Sequence, residues 1–182
     1  HDPCLMFREG VLLVVYCDDL AVACPTSAKL DSFVNELKNC GCILTQQTSL
    51  SEYLGIKFDR LDTATFDMTQ RGLIQKILKT ASMEDCRPVA TPAAPTAQSS
   101  DPEGEPMSED WNYRSIVGML LYLAGNTRPD ISMAVSQVCR FSNTPKQSHA
   151  KAVKHILRYL KGTADKGMIV RPNGTLGLDN YC

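Results

Sequence analysis

Residues 87–107 constrain the fold more than any other part of the sequence, because they hold five of the ten prolines of the 182-residue chain. Proline lacks a backbone N–H and fixes φ, so a segment in which it recurs every few residues cannot form regular helix or strand. The segment continues into an acidic cluster that contains no basic residue: Asp101, Glu103, Glu105, Glu109 and Asp110. We therefore expect a solvated connection between two structured parts of the chain.

The part of the chain before residue 87 is predicted to combine hairpins with helices. Short runs rich in Val, Leu and Ala that lie four residues apart have the spacing of a β-hairpin, and alternating apolar and polar residues indicate a second hairpin. Two other stretches show the helical period, and Thr26 or Ser27 is the expected N-cap of the first. The expected elements are a hairpin at 11–24, a helix at 25–41, a hairpin at 53–70 and a helix at 71–83.

The part after the proline-rich segment is predicted to be mostly helical. Apolar residues at helical spacing occur at 110–126, 127–142 and 148–163. Strands followed by mostly helix predict the α+β class. Arg128 and Asp130 flank a proline at the start of the middle helix, and we interpret them as a structural ion pair that holds the connection, with a catalytic role as the alternative.

Composition and charge exclude some classes of protein without choosing among the others. The 19 basic and 20 acidic residues give a net charge of -1, which neither favours nor excludes a polyanionic partner. No run reaches the ~18 apolar residues that a membrane-spanning helix needs, and the N-terminus does not resemble a signal peptide, so we expect a cytoplasmic protein without a membrane partner. The eight scattered cysteines form no C-x-x-C pair, which favours reduced thiols over a structural zinc site.

Two adjacent carboxylates, Asp18 and Asp19, stand between two apolar strands in "LLVVYCDDLAVAC". One interpretation is a solvated turn, because Asp is a common turn residue. However, the favoured two-residue turns use Gly or Asn, and "YCDDL" contains neither. Repulsion between two carboxylates is relieved by a divalent cation, which prefers oxygen ligands. The hairpin tip is thus either a turn or part of a metal site.

Several motifs follow these carboxylates in a fixed order. They are "YCDD" at 16–19, "YLGIKF" at 53–58, "MTQRGLIQKIL" at 68–78, "ATP" at 90–92, "YRSIVGMLLYLAGNTRPDI" at 113–131 and "HAKAVKHILRYLKGT" at 149–163. In this order and spacing, they resemble the reverse transcriptase region of copia-type (pseudoviral) retrotransposon polyproteins. The resemblance covers nearly the whole chain, whereas "YCDD" alone would be weak evidence.

The resemblance implies a partial polymerase palm, made of antiparallel hairpins and a helix, followed by a mainly helical thumb and connection. The implied parts are the C-terminal palm with its catalytic hairpin and primer-grip-like turn at 1–60, the start of the thumb at 61–86, a Pro-rich acidic connection at 87–110, a helical thumb and connection at 111–164, and a lead-in to a ribonuclease H domain at 165–182.

The resemblance also implies an RNA-directed DNA polymerase that uses two Mg²⁺ ions, with Mn²⁺ as an alternative, for nucleotidyl transfer to a primer 3'-hydroxyl. By this similarity, Asp18 and Asp19 are the catalytic metal ligands. The residues implied near the primer or nucleotide are Tyr16, Cys17, Tyr53, Leu54 and Gly55. The family most often has Val where Cys17 stands, so a thiol would lie near the primer end.

The implied partners are an RNA template, a DNA primer, the RNA–DNA hybrid, deoxynucleoside triphosphates and the rest of the polyprotein. The rest includes the fingers, the N-terminal palm with a third carboxylate, and ribonuclease H, all within the virus-like particle of the element. Because these parts lie outside the chain, we expect this fragment alone to bind metal poorly and to be inactive.

Two helical faces are candidate nucleic-acid contacts. Arg114, Gly118 and Tyr122 share one stripe, which predicts either close helix packing at the glycine or an approach to the minor groove of a duplex, as in the resembling thumb helix. The helix at 148–163 has a basic face, which indicates either an ordinary soluble surface or phosphate contacts. Its candidate contacts are Lys151, Lys154, Arg158 and Lys161, whereas His149 and His155 are interpreted as surface residues or phosphate contacts.

Two other functions remain open from the sequence. A non-catalytic nucleic-acid-binding or scaffold remnant of a decayed retroelement would have the same motifs. A different two-metal nuclease or phosphotransferase would need more acidic or histidine ligands near the hairpin than the sequence offers.

Overall fold

The computed structural model describes residues 2–47, 49–63, 65–93 and 100–171. The chain divides into two compact units, of which the first reaches Tyr53 and the second begins at Leu54. Each unit combines antiparallel strands with one or more helices, which confirms the α+β class. None of the helices in the described ranges is long and apolar enough to cross a membrane.

The first unit is a three-stranded antiparallel meander followed by a helix. Its elements are β1 (Leu5–Arg8), β2 (Val11–Tyr16), β3 (Asp19–Ala23), α1 (Ser27–Asn39) and β4 (Glu52–Tyr53). The predicted first hairpin is present as β2 and β3, and β1, which the pattern did not predict, pairs with the other side of β2. The hydroxyl of Thr26 accepts a hydrogen bond from the Lys29 backbone N–H at 3.3 Å, which confirms Thr26 as the N-cap of α1.

The first unit has a small core. Among its described residues, only Val11 and Val34 are buried apolar side chains. Side chains alternate between the faces of a strand, so Leu5 and Phe7 share a face, and Leu12 lies opposite Phe7 on the neighbouring strand. All three are exposed, Phe7 by 73%. One face of the meander is therefore apolar and open.

The second unit contains a sheet with β6 between β5 and β7, beside four α-helices. Its elements are β5 (Ile56–Arg60), β6 (Phe66–Thr69), α2 (Arg71–Thr80), α3 (Tyr113–Asn126), a 3-10 turn (Pro129–Ile131), α4 (Ser132–Cys139), α5 (Gln147–Gly162) and β7 (Met168–Val170). The predicted second hairpin and the helices of this unit are confirmed. The third strand, β7, was not predicted, and it pairs antiparallel with β6.

The core of the second unit lies between α2, α3, α4 and α5. The helical period explains it, because the apolar side chains of each helix fall on one face. The side chains with 1% exposure or less include Ile74, Ile77, Ile116, Leu120, Leu123, Val153, Ile156, Leu157 and Leu160. The apolar residues whose helical spacing predicted α5 are among those buried in this core.

Arg128 is a buried charge at the start of the 3-10 turn, with an exposure of 1%. Its Nε and Nη2 atoms donate to the two carboxylate oxygens of Asp130 at 2.9 and 2.8 Å. The same guanidinium donates to the carbonyl and the hydroxyl of Thr163 at 2.9 and 2.7 Å. The predicted ion pair is confirmed, and it also joins the turn to the C-terminal end of α5.

Tyr159 completes this network from α5. Its hydroxyl donates to Asp130 Oδ2 at 2.7 Å. Partial burial acts to raise the pKa of Asp130, but the hydrogen bonds from Arg128 and Tyr159 and the charge of Arg128 outweigh it, so the pKa lies below its ordinary value.

The Pro-rich acidic connection forms no helix or strand in its described residues, as predicted, and none of these residues is buried, as expected of a solvated segment. Residues 101–109 pack along the N-terminal half of α5 through hydrogen bonds. A segment outside regular secondary structure needs other partners for its backbone N–H and C=O groups, and this segment finds some of them in α5 and in the loop before α5.

The expectation that His149 lies on the surface is wrong, since its exposure is 2%. His149 is the third residue of α5, where its Nδ1 accepts a hydrogen bond from the Lys146 backbone N–H at 3.0 Å. Its ring stacks on Phe141 with centroids 3.9 Å apart. The imidazole therefore caps the helix inside the core.

We expect Arg128→Met to lower the unfolding free energy of the second unit by about 3 kcal/mol, because Thr163 and Asp130 lose their hydrogen bonds from the guanidinium. The exposed Arg140→Met is the matched control and should change it by less than about 0.5 kcal/mol. Urea denaturation followed by the fluorescence of Trp111, the single tryptophan of the chain and part of this core, measures both. Equal effects of the two variants would contradict the structural role of Arg128.

The lowered pKa of Asp130 predicts acid sensitivity. A carboxylate whose folded pKa is below its unfolded value of about 3.9 stabilises the fold above that pH, and the contribution is lost as the pH falls through the folded pKa. Between pH 5 and pH 2.5 or so, wild type should therefore lose more unfolding free energy than Asp130→Asn. Asp85→Asn, at an exposed position of the same unit, should follow wild type.

Candidate metal-ligand hairpin and nucleic-acid surface

The tip of the hairpin between β2 and β3 is a two-residue turn. Tyr16 pairs with Asp19, so Cys17 and Asp18 alone connect the strands. Cys17 has a φ of +50°, in the left-handed region that favours glycine. A non-glycine residue in this region costs about 1 kcal/mol or more, and such strain is concentrated at functional sites. The tip is therefore a turn whose backbone is strained at the residue before the carboxylates.

Both carboxylates of the tip are exposed. Within the described ranges, neither forms an ion pair, and no group of three or more His, Cys, Asp or Glu side chains is placed to hold a metal ion. Mg²⁺ is commonly held by one or two carboxylates, with water and substrate phosphates as the other ligands. Asp18 and Asp19 thus fit Mg²⁺ in ligand type, and the other ligands would come from elsewhere.

Among the candidate primer-proximal residues outside the hairpin, Tyr53 lies near enough to this tip for the charge of Asp19 to act on its phenol. Burial, and then the nearby charge of Asp19, raise the pKa of its phenol above the ordinary value. Its hydroxyl oxygen is buried and has no hydrogen-bond partner in the described part of the chain. Tyr16, by contrast, is 56% exposed. The two tyrosines therefore differ in their access to a ligand.

The second unit presents the predicted stripe of α3 to solvent. Arg114, Gly118 and Tyr122 are all exposed, while the buried side chains of α3 face the core. Apart from the adjoining residues and the nearby backbone of α3 itself, no atom of the described residues lies within 4 Å of the position that a Cβ would take at Gly118. The alternative of close helix packing at Gly118 is therefore wrong. Gly125, seven residues on, is also exposed and open, and its helical spacing could have placed it on the stripe.

The stripe is connected to the predicted primer-positioning turn. Leu54 and Gly55 have φ values of +51° and +72°, as expected for a tight turn. The Tyr122 hydroxyl donates to the Leu54 carbonyl at 2.6 Å. No sequence pattern indicated this contact between residues 68 positions apart, and it brings two groups of predicted contacts onto one side of the second unit.

Arg114 also has internal partners. Its Nε donates to the Ser142 carbonyl at 2.9 Å, and its Nη2 donates to Asn143 Oδ1 at 2.8 Å. These bonds hold the exposed guanidinium at one end of the stripe, against the loop that precedes α5. The side chain is thus oriented before any ligand binds.

The basic face of α5 contains two kinds of residue. Lys151 and Lys161 are exposed, and their role as phosphate contacts stays a prediction. Lys154 forms a 2.6 Å ion pair with Glu109, and Arg158 donates to a backbone carbonyl of the proline-rich segment at 2.8 Å. The structure therefore gives two of the four predicted contacts partners within their own unit.

Comparison with known proteins finds similarity over nearly the whole sequence. The chain is 35% identical over 174 residues, 96% of its length, to the retrovirus-related Pol polyprotein from transposon RE1 of Arabidopsis thaliana. It is 32% identical over the same length to the corresponding polyprotein from transposon RE2 of that plant. The chain belongs to the Pol polyproteins of copia-type retrotransposons. The family resemblance inferred from the motifs is therefore confirmed.

The chain is much shorter than the polyproteins that it matches. The chain spans about 12% of the length of the two copia-type polyproteins. It is also 31% identical over 170 residues to an uncharacterized mitochondrial protein of A. thaliana, of which it spans 69%. No protein-family model matches the chain. No solved structure matches it significantly.

Gly118→Ala should raise the unfolding free energy of the second unit by up to about 1 kcal/mol, because alanine has the higher helix propensity and the added methyl group meets open space. Gly72→Ala on α2, where the space is also open, provides the comparison for an exposed helical glycine. Urea denaturation followed by Trp111 fluorescence measures both. A destabilised Gly118→Ala variant would restore the packing interpretation.

Proposed function

We propose that this chain is the part of a copia-type reverse transcriptase that supplies two metal-binding carboxylates and a surface for the template–primer duplex. The hairpin tip carries the proposal. Two adjacent, exposed carboxylates follow a strained non-glycine residue, in a chain whose relatives are Pol polyproteins. Strain of this kind is retained where a functional geometry requires it.

In this proposal, Asp18 and Asp19 hold Mg²⁺ through their carboxylate oxygens, together with ligands from outside this chain. Mg²⁺ bound there would neutralise charge on the transferring phosphates and activate the primer 3'-hydroxyl. The strands on either side fix the positions of the two carboxylates, because a two-residue connection leaves the tip little freedom. Tyr16 and Cys17, both exposed, would contact the primer end.

The duplex would lie along the exposed stripe of α3. Gly118 leaves the helix backbone open to the sugars of a minor groove, and this open space is what supports the proposal. The Tyr122 hydroxyl is already bonded to Leu54, so Tyr122 would contact the duplex through the exposed part of its ring. Shape and 2'-hydroxyl groups, and not base sequence, would then be recognised.

A nucleic-acid-binding remnant without catalysis is the second candidate. It is favoured by the uncharacterized mitochondrial relative, because the chain spans 69% of that protein but about 12% of the polyproteins. Such a remnant would keep the α3 and α5 surfaces without needing the carboxylates. Variants of Asp18 distinguish the two candidates.

In the Pol polyprotein that contains this chain, Asp18→Asn should reduce Mg²⁺-dependent incorporation of deoxynucleotides on a primed RNA template to the background level. Asp31→Asn, at an exposed position of α1, removes the same charge and should retain wild-type incorporation. Hybrid binding should persist in both variants, because the carboxylates are not the duplex surface. A wild-type polyprotein that binds hybrid but incorporates nothing would support the remnant instead.

A further inference from the structure

An acidic segment lies against the basic helix α5. We call residues 101–109 the acidic strap. Hydrogen bonds join the strap to α5 and to the loop before it. Lys146 Nζ donates to the Gly104 carbonyl at 2.9 Å, and the Gln147 N–H donates to the Glu105 carbonyl at 2.9 Å. The Met107 N–H donates to the Pro145 carbonyl at 3.2 Å, and the Ser148 hydroxyl donates to Asp101 at 2.6 Å. Most of these bonds use backbone groups of the strap, so they hold its course along the helix.

The last residue of the strap carries the main charge contact. Glu109 Oε2 lies 2.6 Å from Lys154 Nζ, and its Oε1 accepts a hydrogen bond from Gln147 at 3.1 Å. The Glu109 side chain is 17% exposed and that of Lys154 is 35% exposed. The hydrogen bond from Lys154 is the largest influence on the Glu109 carboxyl, whose pKa lies below its usual value. The pair is therefore partly removed from solvent, unlike an ordinary surface ion pair.

The position of this pair matters because Lys154 stands between exposed cations. Lys151 and Lys161 lie on the same helix and have no ion-pair partner in the described ranges. A nucleic-acid backbone that followed the basic face would also reach Lys154, but the Lys154 ammonium is already paired with Glu109. The strap and a nucleic acid are both polyanions, so both cannot hold the Lys154 ammonium at once.

We propose that the acidic strap is a built-in competitor for nucleic acid on α5. With the strap in place, the helix offers Lys151 and Lys161 to phosphates, and Lys154 becomes a further contact only when Glu109 releases it. This inference rests on the proposed nucleic-acid binding. It adds that binding is limited from within the chain and strengthens when the strap is displaced.

The test measures binding of an RNA–DNA hybrid to the 182-residue chain by fluorescence anisotropy over a series of salt concentrations. Each phosphate that gains a cation steepens the dependence of log K on log salt by about 0.9. Glu109→Gln should therefore bind more tightly, with a slope steeper by about 0.9. Glu103→Gln removes the same charge from an exposed position of the strap and frees no cation, so its slope should equal that of wild type.

A second substitution identifies the cation that is released. Lys154→Met should leave the slope of the wild-type chain unchanged, but it should abolish the steeper slope of Glu109→Gln. Far-UV circular dichroism registers the helices and does not depend on the Glu109 side chain, so an unchanged spectrum would show that each variant is folded.

The outcomes separate this inference from the proposed function. If Lys154→Met flattens the slope equally in both backgrounds, Lys154 already contacts the hybrid and the inference is overturned. If Glu109→Gln behaves as Glu103→Gln does, the inference is also overturned, while hybrid binding by wild type would still support the proposed function. If no variant binds the hybrid, both fail.

Discussion

The buried guanidinium of Arg128 is the interaction on which the helical unit depends. A charge at 1% exposure is tolerated only when its donors are satisfied, and here they bond to Asp130 and Thr163. These partners lie on the 3-10 turn and at the end of α5. The same residue therefore fixes where the chain turns after α3 and where α5 ends. An apolar core alone would hold these helices together but would specify their positions less closely.

The apolar core determines which face of α3 is free. Ile116, Leu120 and Leu123 are buried against the other helices, so the side of α3 with Gly118 and Tyr122 must face outward. The Tyr122 hydroxyl then reaches the Leu54 carbonyl. A surface for a duplex would thus result from the packing of the core behind it. The same helical period that buries one face exposes the other.

The charges of α5 show that a sequence pattern can identify the charged residues of a surface without identifying their ion-pair partners. The basic face of α5 indicated either an ordinary soluble surface or phosphate contacts, and the acidic cluster indicated a solvated connection. The structure places the two together, with Glu109 on Lys154. Neither pattern indicated the other as its partner, because ion pairs between distant segments leave no periodic signal in a sequence. The number of free cations on α5 is therefore smaller than the composition implies.

The sequence by itself determined the elements that depend on neighbours in the chain. Helical period, the cap at Thr26 and the two-residue spacing of Arg128 and Asp130 act locally, and the corresponding structures were predicted. It also determined the family, since an ordered series of motifs is specific. Only the tertiary structure decided that β1 pairs with β2 and that β7 pairs with β6. It also decided the burial of His149, the open space at Gly118 and the course of the strap along α5. Each of these depends on which segments pack together, and packing depends on partners that lie far away along the chain.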